Sequence, residues 1–522
     1  MQYPESALAG EFATIQQLMK TSAEAFGDRD AYVDGNQRIS YADWMQRADS
    51  LAAEFCSRGV GRGDVVVLML PSGIDYAVAY AAAAKLGAIA TGLNTRLGRR
   101  EIGSILAQCA PALVVTGEAA GLPDLPAGTA VLDRAELARA CERPPPGEPG
   151  VEAAPDDIVT IMWTSGTTGQ PKGACLDHRN MSAISDAAGV LSGPGDRRLV
   201  TTPFAHAGYM AKLWDQLANG VTIVVCPPTL PPAEMLRLVV GQQITVVGAV
   251  PTQWERMLRL PGLDDADLSG VRIGTSATAP IRPELVAEIN ERMGFPLVVR
   301  YAMTESPTIC GTEPDDPPEV QFRTVGRPQK GMEISVTAPD GPVIDGPVAD
   351  DPVAGGPVAD GPVGQVRVRG GCVMRGYWNA PELTRQAFDD EGWLVSGDLG
   401  YLREDGNLVI VGRATDMYIR GGYNVYPAEV EAVLALHPAV RSVSVVGTPA
   451  ARIGEIGVAF VVPADPEKPP GLDELRELVR SELADYKAPD RLEIIDQLPA
   501  NTLLKTDKND LRKRAASTGS PA

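Results

Sequence analysis

Short, almost wholly apolar runs alternate with stretches of helical character between Val65 and Tyr301, and they limit the fold more than any other feature. Val65–Leu70 (VVVLML) is closed by Pro71, a small-residue helix follows, and Ile89–Leu93 comes next. The rhythm returns at Ala112–Val115, Val221–Cys226, Ile244–Val250 and Leu297–Tyr301. Runs of four to seven apolar residues without a polar alternate suit strands buried on both faces, which is the condition of a parallel sheet with helices on either side. The expected class is therefore α/β, with helices layered on parallel sheets. The proline-rich segment Arg143–Gly150 (RPPPGEPG) reads as a spacer between an opening lobe, 1–142, and a second lobe, 151–412. Beyond Val411 the pattern changes: Glu429–Leu436 is helical, Val443–Val446 and Val458–Val462 are strand-like, and Asp473–Leu483 is a charged helix. That is a separate α+β domain of roughly a hundred residues.

Charge narrows the list of partners. The chain of 522 residues carries a net charge of −20, which disfavours nucleic acid and anionic membrane surfaces. An anionic ligand therefore needs a local cluster of donors. The seven cysteines, Cys56, Cys109, Cys141, Cys175, Cys226, Cys310 and Cys372, never stand in a C-x-x-C spacing and are read as free thiols. The first sixteen residues are acidic and mixed, unlike a signal peptide, and the end STGSPA matches no retrieval or lipidation signal. Tyr76–Leu93 is apolar but Ala-rich and broken by Lys85, so it reads as a buried helix entering a strand, with no membrane span. A cytoplasmic protein, with homodimer formation open, is the expectation.

From Asp340 to Gly364 a five-residue unit, DGPVx, is repeated five times. Proline in every unit excludes helix interior and disfavours a central strand, so the segment reads as an expanded turn between two strands.

Chemistry concentrates at Thr164–Gly173, TSGTTGQPKG, directly after the apolar run Ile158–Trp163. Gly166, Gly169 and Gly173 let the backbone turn and bring its N–H groups toward an anion. Thr164, Ser165, Thr167, Thr168 and Lys172 add hydroxyls and charge suited to a polyphosphate. It is no Walker A loop, because Pro171 stands where that loop needs glycine and no Ser or Thr follows the lysine.

The segment resembles the signature of the adenylate-forming superfamily of acyl-CoA synthetases, amino-acid adenylation domains and beetle luciferases, and the likeness extends from about Thr14 to about Arg512. It implies a large N-terminal domain of stacked sheets with helices and a distorted β-barrel subdomain, 1–412. It also implies a hinge at 413–416 and a small mobile C-terminal domain, 417–522. The implied reaction joins a carboxylic acid to coenzyme A at the expense of ATP, with Mg²⁺.

The resemblance assigns roles motif by motif. Tyr301–Glu305 (YAMTE) matches a segment in which Thr304 contacts the α-phosphate and Glu305 helps hold Mg²⁺, together with Thr164; Ala302 replaces the family's glycine, and Tyr301 and Met303 line the nucleotide and acyl sites. Ser276–Ile281 (SATAPI) stands for the adenine loop, with Thr278, Ala279 and Pro280 at the base. Asp398, in GWLVSGDLG, would accept bonds from both ribose hydroxyls, and Arg413 would hold ribose or phosphate. Thr415 occupies the hinge, where Asp or Lys is usual. Arg420, Gly421, Gly422 and Tyr423 resemble the loop that lines the pantetheine path. Lys505 would neutralise charge developing as the acid attacks the α-phosphorus, with Leu504 replacing the usual glycine and Lys508 as the competitor should the register slip.

His206, in PFAHAGY, matches a histidine at the mouth of the acyl pocket, whereas His178 fits a helix start and His437 a helix end. Gly208, Gly248, Ala249, Thr275 and Tyr301–Met303 are mostly small or apolar and suit an uncharged acyl chain or ring. No aspartate lies between Thr201 and Lys212 to pair an amino acid's ammonium group. Two alternatives stay open at this point: an acyl-AMP ligase that loads a carrier protein, and a non-catalytic nucleotide-binding homologue.

Overall fold

A computed structural model describes residues 6–8, 11–117, 122–145, 147, 151–165, 171–227, 230–276, 281, 283–337, 363–420, 423–450, 453–500 and 506–517. The chain divides into two compact units: residues 1–333 with 368–394, and residues 334–367 with 395–522.

The first unit is built on two sheets. Among the described residues one has nine strands in the order Arg327–Pro328, Ser306–Gly311, Leu297–Met303, Ile273–Ser276, Val246–Ala249, Arg197–Val200, Thr222–Val225, Asp30–Asp34 and Gln37–Ser40. The six from Leu297–Met303 to Asp30–Asp34 run parallel. The second sheet has seven, in the order Gly376–Tyr377, Pro171–Asp177, Ile158–Ser165, Ile89–Gly92, Val65–Met69, Leu113–Thr116 and Ala130–Asp133. The apolar runs thus become strands, with Val66, Val67, Leu113, Val114 and Leu297 wholly buried.

Both sheets draw strands from either side of the proline-rich segment 143–150. Asp30–Asp34 and Gln37–Ser40 join the nine-stranded sheet, while Ile158–Ser165 and Pro171–Asp177 join the sheet of Val65–Met69. Parallel strands are neighbours through crossovers, so position in sequence does not decide sheet membership.

Helices form where sequence periodicity asks for them. Tyr41–Ser57 is capped by Ser40, whose Oγ accepts from the Asp43 N–H at 3.1 Å, and buries Trp44, Ala48, Leu51 and Phe55 along one face. Ile74–Lys85 is buried from Ile74 to Ala84 except at Asp75, which explains its lack of a polar face. Trp254 anchors a core with Val247, Leu285, Ile289 and Leu297, and replacing it with alanine should cost about 3–5 kcal/mol.

The second unit contains most of the sheet ordered Met332–Thr337, Gly364–Gly370, Leu394–Leu402 and Leu408–Arg413. It also contains a sheet built on the antiparallel pair Val440–Ala450 and Gly454–Pro463. Tyr418 lies across that pair, in a slot left by Gly447 and Gly457; a Cβ on either glycine would overlap its side chain. Helix Pro427–Leu434 starts on its proline, as the missing N–H at that position favours. The repeats at 340–364 lie largely outside the described residues. All seven cysteines are free, and among the described residues no helix is long and apolar enough to cross a membrane.

Candidate active site

The glycine-rich loop joins two antiparallel strands. Ile158–Ser165 leads into it and Pro171–Asp177 leaves it, with Thr164 opposite Lys172 and Trp163 opposite Gly173. Gly173 serves packing and not the turn: a Cβ there would fall 2.6 Å from Ile161 Cγ2 and 3.1 Å from the Trp163 ring. Residues 166–170 lie outside the described residues, and with them Gly166, Thr167, Thr168 and Gly169. The Ser165 backbone pairs with Pro171.

Beside Lys172 the strand pairs with Gly376–Tyr377, through Gly376 with Cys175 and Tyr377 with Ala174. This registers Tyr377 between two expected site residues. The Lys172 ammonium stands 5.4 Å from the centre of the Tyr377 ring, and the Tyr377 hydroxyl donates to Glu305 Oε1 at 2.8 Å. Burial, reinforced by the neighbouring Glu305 carboxylate, holds the phenol protonated well above its ordinary range. Glu305 is 9% exposed, and its carbonyl accepts from the Met374 N–H at 2.8 Å. Sequence reading found Lys172 and Glu305 but missed Tyr377, the residue that links them. Its only local signal is the Gly-Tyr dipeptide, and its importance depends on a pairing made across 200 residues of chain.

The carboxyl ends of the parallel strands carry a second group of expected site residues, where open α/β sheets commonly bind ligands. Gly248 pairs with Thr275, and Thr275 with Val298, so two expected acyl-site residues are neighbours. Thr201 Oγ1 donates to the Gly248 carbonyl at 2.9 Å. Among the described residues the buried hydroxyls of Thr275 and Ser276 have no hydrogen-bond partner, which suits a place where ligand atoms arrive. Thr278, Ala279 and Pro280 follow directly but lie outside the described residues. Tyr301 pairs with Cys310 and Met303 with Ser306, with Ala302 between them and Thr304 and Glu305 in the turn that follows.

His206 is carried by a segment with two aromatic anchors. Phe204 and Tyr209 stack at 3.6 Å, and Tyr209 shares a 2.7 Å hydrogen bond with Tyr32 in the core. Between them His206 turns toward the surface and caps helix Ala207–Met210, its Nδ1 accepting from the Gly208 N–H at 3.2 Å. The other two histidines are structural. His178 accepts from the Ile15 N–H at 3.0 Å and is pushed down to about 4 by burial. His437 Nε2 meets Glu474 at 3.0 Å.

In the second unit Asp398 and Arg413 are directly opposed across two strands, with Arg413 Nε 3.0 Å from Asp398 Oδ1. The Asp398 N–H donates to Ser396 Oγ at 3.1 Å, which fixes the turn that presents the carboxylate. The Thr415 carbonyl accepts from Arg512, whose guanidinium also holds Asp416 at 2.5 Å. Arg420 is committed to Asp490 by a two-pronged ion pair, at 2.6 and 2.8 Å. Tyr423 is exposed and stacks on Tyr486 at 4.5 Å. Gly421, Gly422 and Lys505 lie outside the described residues, and Lys508 is paired with Glu431 at 2.8 Å.

Comparison with known proteins finds likeness along most of the chain. The model of the AMP-binding enzymes matches residues 19–378, and that of the AMP-binding enzyme C-terminal domain matches 429–505. A 3-[(3aS,4S,7aS)-7a-methyl-1,5-dioxo-octahydro-1H-inden-4-yl]propanoyl:CoA ligase of Rhodococcus jostii is 32% identical, over 96% of this chain and 98% of that protein. The long-chain-fatty-acid–CoA ligase FadD13 of Mycobacterium tuberculosis is 32% identical, over 94% and 96%. The crystal structure of ATP-bound MatB from Rhodopseudomonas palustris superposes with a TM-score of 0.85 at 27% identity, covering 96% of this chain and 99% of that one.

Proposed function

The chain belongs to the AMP-binding enzyme family as an AMP-forming acid–CoA ligase, and on that premise we propose how its residues divide the two half-reactions. In the first, a carboxylate oxygen of the acid attacks the α-phosphorus of ATP and the bond to pyrophosphate breaks, leaving acyl-AMP. In the second, the thiol of coenzyme A attacks the acyl carbon, AMP leaves and the thiol proton is lost.

Thr164, Ser165, Gly166, Thr167, Thr168, Gly169 and Lys172 hold the phosphates that depart, and Thr304 holds the α-phosphate. Thr278, Ala279 and Pro280, with Tyr301, Ala302 and Met303, receive the adenine. Asp398 takes the ribose hydroxyls and Arg413 steadies it by their mutual ion pair. Lys505 meets the charge that develops at the α-phosphorus. Thr415 is the pivot between half-reactions, and Arg420, Gly421, Gly422 and Tyr423 form the path of the pantetheine arm. Arg420 acts there by bracing the loop against Asp490.

Mg²⁺ fits Glu305 with Thr164. The Glu305 carboxylate has one oxygen occupied by Tyr377. Among the described residues no three His, Cys, Asp or Glu side chains gather to hold a metal unaided. That donor set suits an ion that takes most of its ligands from phosphate and water. When bound, such an ion supplies charge neutralisation on the phosphates.

The acyl group is proposed to enter past His206 and lie along Gly208, Gly248, Thr275, Tyr301 and Met303, whose size and polarity suit an uncharged chain or ring. The observation that carries the whole reading is the line Lys172–Tyr377–Glu305 at the exit of the glycine-rich loop. Incubation with ATP, Mg²⁺ and a panel of acids, with and without coenzyme A, tests it through AMP release that depends on coenzyme A. Lys505→Ala should slow adenylation far more than thioester formation from pre-made acyl-AMP; equal loss in both steps would defeat its assigned role.

A further inference from the structure

A lysine lies beside the residues proposed to line the acyl group. Lys212 stands between helices Ala207–Met210 and Leu213–Asn219, six residues beyond His206. Its ammonium donates to Thr308 Oγ1 at 3.3 Å. Thr308 is buried on strand Ser306–Gly311, which is paired to Leu297–Met303 through Tyr301 with Cys310 and Met303 with Ser306. The lysine therefore reaches from the His206 segment to the hairpin that carries Tyr301 and Met303.

The environment gives this ammonium little in return. Burial holds its pKa below the ordinary lysine value; Asp215 opposes that, while Arg198 and Arg300 add to it. Asp215 is already paired with Arg198 at 2.9 Å. Among the described residues Lys212 takes part in no ion pair, and the bond to Thr308 uses one of its three donors. A desolvated cation left in this condition is destabilising, and an apolar side chain would fill the same volume without that cost. Lys212 is half-buried, so part of its side chain stays open to solvent or ligand.

We infer that Lys212 is a substrate-binding residue at the far end of the acyl cleft. It selects acids whose acyl group, uncharged along its length, carries an oxygen acceptor beyond it, either a ketone or a second carboxylate. The inference rests on the ligase reading and adds the substrate class to it. The unpaired donors would then meet the acceptor of the substrate, and the free energy withheld in the empty protein would appear as selectivity for the matched acid.

The test is a matrix of kcat/KM values for AMP release with coenzyme A, over straight-chain acids from butanoate to dodecanoate. Each length is offered as the plain acid, its keto derivative and its dicarboxylic counterpart. At the best length an oxygenated acid should exceed the plain acid by about tenfold or more, the size of one hydrogen bond to a charged group. The keto and dicarboxylic arms distinguish the two sources of the acceptor. Lys212→Met should lower that ratio by about tenfold, with Lys212→Gln as the substitute should the methionine variant be unstable. Thr308→Val removes the lysine's partner without removing the cation, and should keep the preference. A plain acid preferred at every length, a ratio that Lys212→Met and Lys212→Gln leave unchanged, or a Thr308→Val variant that loses the preference would each overturn the inference. AMP release with no acid at all would remove the ligase reading and this inference with it, whereas release with plain acids alone would remove only the inference.

Discussion

The hydroxyl of Tyr377 donates to the Glu305 carboxylate at 2.8 Å, tying together two side chains 72 residues apart. The same ring lies beneath the ammonium of Lys172. One tyrosine thus sets the orientation of a proposed metal-binding carboxylate and of a proposed phosphate-binding lysine.

Tyr377→Phe separates those two functions, because it keeps the ring under Lys172 and removes only the donor. Loss of one hydrogen bond to a charged acceptor is worth about 1.5–3 kcal/mol. Pyrophosphate exchange should therefore slow by roughly tenfold or more, with a raised requirement for Mg²⁺. An exchange rate and Mg²⁺ dependence equal to the parent's would show that Glu305 is oriented without Tyr377.

Asp398→Ala removes the proposed ribose acceptor and leaves Arg413, more than half exposed, without its partner. An exposed arginine is readily hydrated, so the melting temperature should hardly move. The KM for ATP should rise on the order of tenfold or more. A large fall in melting temperature with little change in KM would mean that the pair is structural.

The buried imidazole of His178 makes stability depend on pH. Its Nδ1 accepts from the Ile15 N–H, a bond that protonation abolishes, and burial lowers its pKa to about 4. In the unfolded chain the same group takes up a proton near 6.5. The contribution is therefore fully present above about 6.5 and is lost as the pH falls toward 4, by about 3 kcal/mol in all. His178→Asn keeps an acceptor that does not titrate. Melting curves collected from pH 7 down to 4.5 should fall less steeply for that variant than for the parent, and parallel curves would refute the assignment.

Removing Asp345–Ala359 takes out three of the five DGPVx units. Shortening a connection by this much changes closure entropy by less than about 1 kcal/mol. CoA-dependent turnover should stay within roughly twofold of the parent; loss of the second half-reaction alone would assign the repeats a part in it.

The sequence by itself determined many of the buried strands, some of the helices and the class of reaction. Six apolar runs became strands at nearly the expected positions, because burial on both faces leaves a local record in composition. The glycines, hydroxyls and lysine of TSGTTGQPKG suggested a polyphosphate from their own chemistry, whereas the proposed roles of YAMTE at a hard cation and of GWLVSGDLG at a diol came from resemblance to the family. Only the tertiary structure decided how the strands interleave, so that Asp30–Asp34 and Gln37–Ser40 belong to one sheet and Ile158–Ser165 and Pro171–Asp177 to the other. It alone placed Tyr377 against Glu305 and Lys212 against Thr308. The reason is physical: side-chain identity acts locally, whereas strand register is set across whole sheets by packing and crossover connections. A tyrosine or lysine at the end of such a long-range pairing looks ordinary until its neighbours are in place.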